Sequence, residues 1–258
     1  MKKIAIVYDA DFTLLDGYHP NLLLEKWGVD IEEFWEKVSK VRDEEELHGE
    51  RTNFDIIYIA FILHEIRYGK LKGLTIKDLK EVGKDLGKMF YLGVPEFFDG
   101  IKSENPDCHI SHNIVSMGLE DILSGSVLSR YADRICGYRF FDNLTEGEEI
   151  DEVRTTMSSE EKIGAIIKIS MGKEKNGYAY PVKNMIYIDD GQTGIPAFRY
   201  IKKNGGKVIG VYDPNKPNLE KMKQIERYVH EMVPADYRKG SALRKVIQSY
   251  IDEFKSIV

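Results

Sequence analysis

The first residues of the chain whose types and spacing suit chemistry are Asp9 and Asp11, at the end of the apolar run IAIVY. Side chains alternate along a strand, so residues 9 and 11 point the same way. In an open α/β sheet that direction leads into the crevice outside the carboxyl ends of the strands, where ligands bind. Thr13 follows at the turn. Two neighbouring carboxylates repel, and burying both is costly unless a cation or a shared proton compensates. Alone, the pair also fits a turn in which both side chains accept from backbone donors. A second acidic cluster shifts the balance: the run MIYI leads into Asp189 and Asp190, followed by Gly191, Gln192 and Thr193. With both clusters on one sheet edge, the oxygen ligands preferred by Mg²⁺ come together and leave coordination positions for water and phosphate. Ser116, ahead of Met117 and Gly118 at another strand end, and Lys162, near the start of a later helix, add the hydroxyl and ammonium of a phosphate cradle. Each also has a plainer reading, Ser116 as a helix cap and Lys162 as one of 37 Lys and Arg residues.

Positioning these groups requires a sheet. Short apolar runs ending in polar residues or glycine predict buried strands at 4–8, at 113–115 with a lead-in from His109, at 185–188 and at 208–212, and a fifth at 229–233. Helical patterns fall at 119–128, 159–170 and 195–203, and an amphipathic helix over 241–255 closes the chain with Ser241 as its cap. Such alternation argues for a Rossmann-like parallel α/β core. Residues 17–105 break the rhythm with helical patterns only, at 21–27, 31–41, 53–68, 76–90 and 95–103, punctuated by Gly28, Gly49, Gly69, Gly73 and Gly93. Trp27, Phe34, Trp35, Ile56, Tyr58, Ile59, Phe61 and Ile62 are the expected interior of this part. The expected division is therefore a core of residues 1–16 and 106–258 and an all-helical domain, 17–105, inserted after the first strand. The acidic run at 43–46 reads as a solvated face, residues 141–156 as a hairpin flanking the core and 172–183 as a surface loop. His109, Ser111 and His112 cannot all aim at one site from a single strand, and core or edge placement is expected for them.

Composition narrows the field further. With 42% hydrophobic and 31% charged residues among 258, disordered and low-complexity classes are excluded. Two cysteines, Cys108 and Cys136, are too few for a zinc site and read as reduced thiols of a cytoplasmic protein. Net charge is −6, with no long basic run, which argues against nucleic acid and against a polybasic membrane patch. No apolar stretch reaches the roughly 18 residues of a spanning helix, and the five-residue run near the N-terminus reads as a strand rather than a signal. Oligomeric state is left open.

Taken in order, DADFTLL, IVSMG, the Lys162 helix and IYIDDGQT resemble the four motifs of the haloacid dehalogenase (HAD) superfamily, especially its phosphoserine-phosphatase-like phosphohydrolases. The helical insert looks like that family's C1-type cap, and DDGQTGIPAFRYIKKNGG and VPADY look like its C-terminal half. The resemblance implies a Mg²⁺-dependent phosphomonoester hydrolase acting on a small phosphorylated substrate of phosphoserine or sugar-phosphate type. Asp9 would be the nucleophile that forms an aspartyl-phosphate, and Asp11 the acid and then base. The metal would be held by Asp9, the Asp11 backbone carbonyl and Asp190. Ser116, Met117, Gly118, Lys162 and Thr13 would serve the phosphate, with Thr13 orienting the motif, and Asp189 and Thr193 would be further candidates beside the metal. Tyr18, His19 and Trp27 are candidates for the entrance, though packing within the insert is expected of each. Two departures stand out: Asp189 replaces a glycine of the fourth motif, and Gly194 replaces its second aspartate. Alternation along the strand predicts that Asp189 faces away from Asp190. Phe12 adds bulk beside the nucleophile. The alternative implied by these departures is a catalytically impaired relative that binds a phosphorylated ligand or partner.

Overall fold

β1 (Lys2–Tyr8) runs through the middle of a seven-stranded sheet, with Ile4 to Tyr8 fully buried on both faces. The other strands are β2 (Cys108–Leu119), β3 (Arg134–Phe141), β4 (Glu152–Thr155), β5 (Met185–Asp189), β6 (Lys207–Tyr212) and β7 (Glu231–Pro234), in the order β4-β3-β2-β1-β5-β6-β7. All neighbours pair in parallel except β3 with β4. The computed structural model describes residues 1–48, 54–142, 149–172 and 178–256. Gly49, Asn53 and parts of the expected hairpin and surface loop lie outside the described residues.

Ten α-helices occur among the described residues. α1 (Pro20–Lys26), α2 (Ile31–Leu47), α3 (Phe54–Tyr68), α4 (Ile76–Gly83) and α5 (Glu96–Glu104) lie between β1 and β2. α6 (Glu120–Gly125), α7 (Glu161–Ser170), α8 (Ile195–Lys203), α9 (Leu219–Ile225) and α10 (Ala242–Ser256) follow in the α/β part. Local signals explain several boundaries: Asp30 caps α2 by accepting from Glu33 N–H, Thr75 and Asp78 form a reciprocal capping box on α4, and Ser241 Oγ accepts from Arg244 N–H at the start of α10.

The α/β reading holds, with three corrections. The sheet has seven strands rather than five, because RICGYRFF and EVRT form β3 and an antiparallel edge strand. Neither carries the uniformly apolar run of a central parallel strand, and β4 is mostly exposed. Ile56 is 48% exposed, and its neighbour Ile57 takes the interior position. Not all of 17–105 stands apart from the sheet: Phe97 and Phe98 of α5 pack edge-on against Tyr8 of β1, and Phe98 also against His112 of β2. α4 packs on α6. An amphipathic helix reads the same whichever layer covers its apolar face.

His112 is fully buried between Tyr8 OH (2.9 Å) and Phe98 O (3.1 Å), and burial pushes its pKa down to about 3. It is a core residue, as expected. No helix among the described residues is long and apolar enough to cross a membrane.

Candidate active site

β1 is flanked by β2 on one side and β5 on the other, so the crevice beyond its carboxyl end lies where the chain's connections diverge. Asp9 follows β1 directly, its N–H donating to Ile188 O of β5. Ser116, Met117 and Gly118 end β2 where the register with β3 slips, Asp190 follows β5, and Lys162 projects from the first turn of α7. Asp9, Asp11, Ser116, Met117, Gly118, Lys162, Asp190 and Thr193 all line one cavity of about 430 Å³. Thr13 does not. It is fully buried, its carbonyl accepting from Tyr237 OH (2.9 Å), and its hydroxyl has no partner among the described residues.

Lys162 has no solvent exposure, and its Nζ donates to Asp9 Oδ1 and Asp189 Oδ2, each at 2.9 Å. Burial alone would lower its pKa, but Asp189 and Asp9 outweigh it and hold the ammonium well above the usual lysine range. Ser116 Oγ accepts from Gly118 N–H at 3.0 Å, and it does not cap α6.

Asp189 contradicts the alternation argument. Its carboxylate lies within 4.8 Å of those of Asp9 and Asp190. The strand ends at Asp189 and the chain bends at Asp190, so the two-residue period stops between them. Tyr187 OH (2.7 Å) and Gly191 N–H (2.9 Å) donate to the Asp189 carboxylate and fix it. The second departure is the counterpart of the first: a Cβ on Gly194 would stand 2.5 Å from Asp189 Cγ. The two positions share one volume, and the carboxylate enters it from 189.

The three carboxylates face two ammonium groups, Lys162 and Lys221, the latter from α9 paired to Asp190 Oδ2. Burial pushes the Asp9 pKa up to about 8 despite Lys162, and that of Asp190 up to about 6 despite Lys221. An all-oxygen donor set left short of positive charge fits a hard divalent cation. Asp11 is not in this cluster; its carboxylate is held elsewhere.

Sequence reasoning placed His19 only as a candidate at the entrance. It is fully buried, and Asp11 Oδ1 accepts from both its backbone N–H (2.9 Å) and its ring Nδ1 (2.7 Å). Leu119 N–H donates to His19 Nε2 (2.9 Å), which fixes the tautomer with its proton on Nδ1, facing Asp11. Gly118 is required by the same contact, because a Cβ there would overlap the imidazole. The only signal was a histidine before a proline, eight residues beyond Asp11. Lys221 carried none. Phe12 has a left-handed backbone, φ 56°, at a cost on the order of 1–2 kcal/mol, and its ring packs edge-on against Tyr18 (4.8 Å) under Lys221 Nζ. Tyr18 lines the cavity, and Trp27 is outside its lining.

No family model matches the chain. An uncharacterized protein of Borreliella burgdorferi is 27% identical over 277 residues, covering 96% of each chain. Among solved structures, a HAD family hydrolase from Salmonella enterica serovar Typhi superposes with a TM-score of 0.58 at 17% identity, covering 89% of this chain and 66% of that one. This chain thus spans just under two thirds of that hydrolase's length. A phosphoserine phosphatase solved as a phospho-aspartyl intermediate analogue gives 0.59 at 18% identity, covering 96% and 99%. A probable phosphoserine phosphatase from Vibrio cholerae gives 0.60 at 16%, covering 100% and 67%. By this agreement over nearly the whole chain, the fold is that of HAD-family hydrolases and phosphoserine phosphatases.

Proposed function

We propose that the chain is a Mg²⁺-dependent phosphomonoester hydrolase that acts on a small phosphorylated metabolite through an aspartyl-phosphate intermediate. The observation that carries this reading is the meeting of Asp9, Asp11, Ser116, Lys162 and Asp190 in one cavity. The likeness in fold to phosphoserine phosphatases supports it. Asp9, Asp190 and the Asp11 carbonyl would hold the metal, whose chemistry is to offset charge on the phosphoryl oxygens.

Lys162 holds Asp9 Oδ1, which leaves Oδ2 to attack phosphorus as the bond to the leaving oxygen breaks. Asp11, oriented at Oδ1 by His19, gives a proton from Oδ2 to that oxygen. It then takes a proton from the water that attacks phosphorus, the Asp9–phosphorus bond breaks and inorganic phosphate leaves. Ser116 and Lys162 bind the transferring phosphoryl group, with Met117 and Gly118 beside it. Thr13 supports the turn from beneath.

Helices α1–α3 act as a cap that closes over the site and excludes bulk water, while α4 and α5 belong with the core. The bond from Asp189 to Lys162 weighs against an impaired relative, since it supplies the carboxylate missing at 194. The free, buried thiols of Cys108 and Cys136 suit a reducing, cytoplasmic compartment.

The test is phosphate release from small phosphomonoesters with Mg²⁺ or with excess chelator, with Asp9→Asn as control. Turnover that needs the metal and falls on the order of 10³-fold or more in the variant is expected. Retained activity in a pure Asp9→Asn preparation eliminates the mechanism.

A further inference from the structure

The cavity has a second, unlike end. Away from the carboxylates its wall is aromatic: Phe12 meets Tyr18 edge-on, Tyr18 lies 5.0 Å from Trp35, and Trp35 stacks on Phe54 (5.9 Å, 14°) and tilts against Tyr58 (5.8 Å). Two polar handles of this wall are engaged: Trp35 Nε1 donates to Asn21 Oδ1 (2.6 Å) and Tyr58 OH to Met117 O (2.8 Å). What these two side chains offer a ligand is ring surface. A sugar hydroxyl laid against them would give up water without a replacement partner.

The charges point the same way. The carboxylates lining the cavity are Asp9, Asp11 and Asp190, all at the strand ends and bonded to Lys162, His19 and Lys221. Beyond these paired carboxylates, which reach Tyr18, no further acid among the described lining residues is there to receive the ammonium of a phosphorylated amino acid. The charged lining residues beside the rings of the aromatic wall are Lys221, whose Nζ lies 5.0 Å from the Phe12 ring centroid, and Arg42, whose guanidinium lies 5.7 Å from that of Phe54 and is paired with Asp43; both are cations. Trp35 and Phe54 are only half-buried, and Tyr18 is 38% exposed, so ring area remains for a guest.

We infer that the substrate's leaving group carries a flat, uncharged or anionic aromatic ring that packs on the wall of Trp35, Phe54, Tyr58, Tyr18 and Phe12. This rests on the phosphatase reading for the phosphate end of the ligand. Ring packing in preferred offset or edge-on geometry adds about three- to tenfold in affinity over an aliphatic group of equal bulk.

The test uses 2-phenylethyl phosphate and 2-cyclohexylethyl phosphate, whose leaving alcohols match in length and closely in acidity but differ in flatness. A KM about three- to tenfold lower for the phenyl ester is expected. Trp35→Leu and Phe54→Leu should each bring the ratio toward one, and Trp35→Phe should keep it, a pattern that general loss of folding would not produce. In parallel, both esters are titrated into Asp9→Asn protein carrying Trp27→Phe, where Trp35 emission reports binding. Equal KM values and equal binding overturn the inference and leave the phosphatase reading standing. Preferential binding of the phenyl ester without turnover of either ester upholds the aromatic site and removes the phosphatase reading. Neither turnover nor binding overturns both.

Discussion

The two ends of the cavity are held by opposite means. At the strand ends each carboxylate is bonded to a named partner: Asp9 and Asp189 to Lys162, Asp190 to Lys221, Asp11 to His19. Little volume is spare, as the overlap a Cβ would make at Gly194 or Gly118 demonstrates. At the helical end Trp35, Phe54 and Tyr58 are positioned by ring packing and by hydrogen bonds from Trp35 and Tyr58. Directional, charged contacts fix geometry to fractions of an ångström, which phosphoryl transfer needs. Ring contacts are less strictly directional than charged hydrogen bonds and tolerate change, as a specificity surface can. Substitutions at the strand ends should therefore cost turnover steeply, and those in the aromatic wall should shift preference.

After the loss of the nucleophile in Asp9→Asn, the largest effect is expected at residue 194. Gly194→Asp forces a second carboxylate into the volume held by Asp189 and pushes Asp189 off Lys162, and a displacement of about 1 Å at this place costs on the order of 100-fold in turnover. Combining it with Asp189→Gly relieves the overlap and returns a carboxylate to the same volume, so the double variant should recover at least about tenfold over Gly194→Asp alone, beyond what independent effects allow. Steady-state kinetics on the four proteins of this cycle decide it. A fully active Gly194→Asp would mean that the strand ends are as forgiving as the helical wall.

A smaller effect is expected at His19, where the helical segment meets the strand ends. His19→Leu removes the ring bonds to Asp11 and Leu119 N–H and should lower kcat by about 10- to 100-fold on alkyl phosphates, whose leaving oxygen needs the proton from Asp11. On p-nitrophenyl phosphate, whose leaving group departs without protonation, the loss should be several-fold smaller. His19→Asn, able to donate to Asp11, should fall between. Equal losses on both ester types would assign His19 a purely structural part.

The same contrast explains what could be read in the sequence. Paired carboxylates at strand ends have few reasons to exist, so Asp9, Asp11 and Asp190 announced themselves, as did Ser116 and Lys162 once the order of the four segments was considered. Tyr58, 5% exposed, is interior as expected, whereas Trp35, expected there too, is half-buried, because an aromatic residue at helical spacing looks the same whether it faces a core or a cavity. Asp189 was misdirected because strand alternation was carried one residue past the end of β5. Lys221 and His19 reach the site only through tertiary folding, from α9 and from the entry to α1, and no local pattern distinguishes them from surface lysine or packed histidine. β3 and β4 were missed for a related reason: an edge pair half open to solvent lacks the apolar run that marked β1, β5 and β6.

The smallest and broadest effect is on stability against pH. Burial raises the pKa of Asp9 to about 8 and of Asp190 to about 6, so between the ordinary carboxylate range near pH 4 and those values the folded chain holds protons that the unfolded chain releases. Stability from this cluster therefore declines as pH rises through that window. His112 works in the opposite sense: buried neutral, with a pKa near 3, it leaves the unfolded chain as the better proton acceptor below about pH 6.5, and stability falls as the pH drops from there. Metal-free protein should accordingly melt a few degrees lower at pH 8 than near pH 6, and Asp9→Asn should flatten that alkaline limb without touching the acid one. Mg²⁺ should raise Tm more at pH 8 than at pH 5.5, because protons compete for the same oxygens. Calorimetric melting curves across pH, with and without chelator, provide the measurement. An alkaline limb unchanged by Asp9→Asn and by Mg²⁺ would show that the carboxylates at the strand ends are already balanced by their lysines, and the charge deficit that distinguishes this end of the cavity from the aromatic one would be gone.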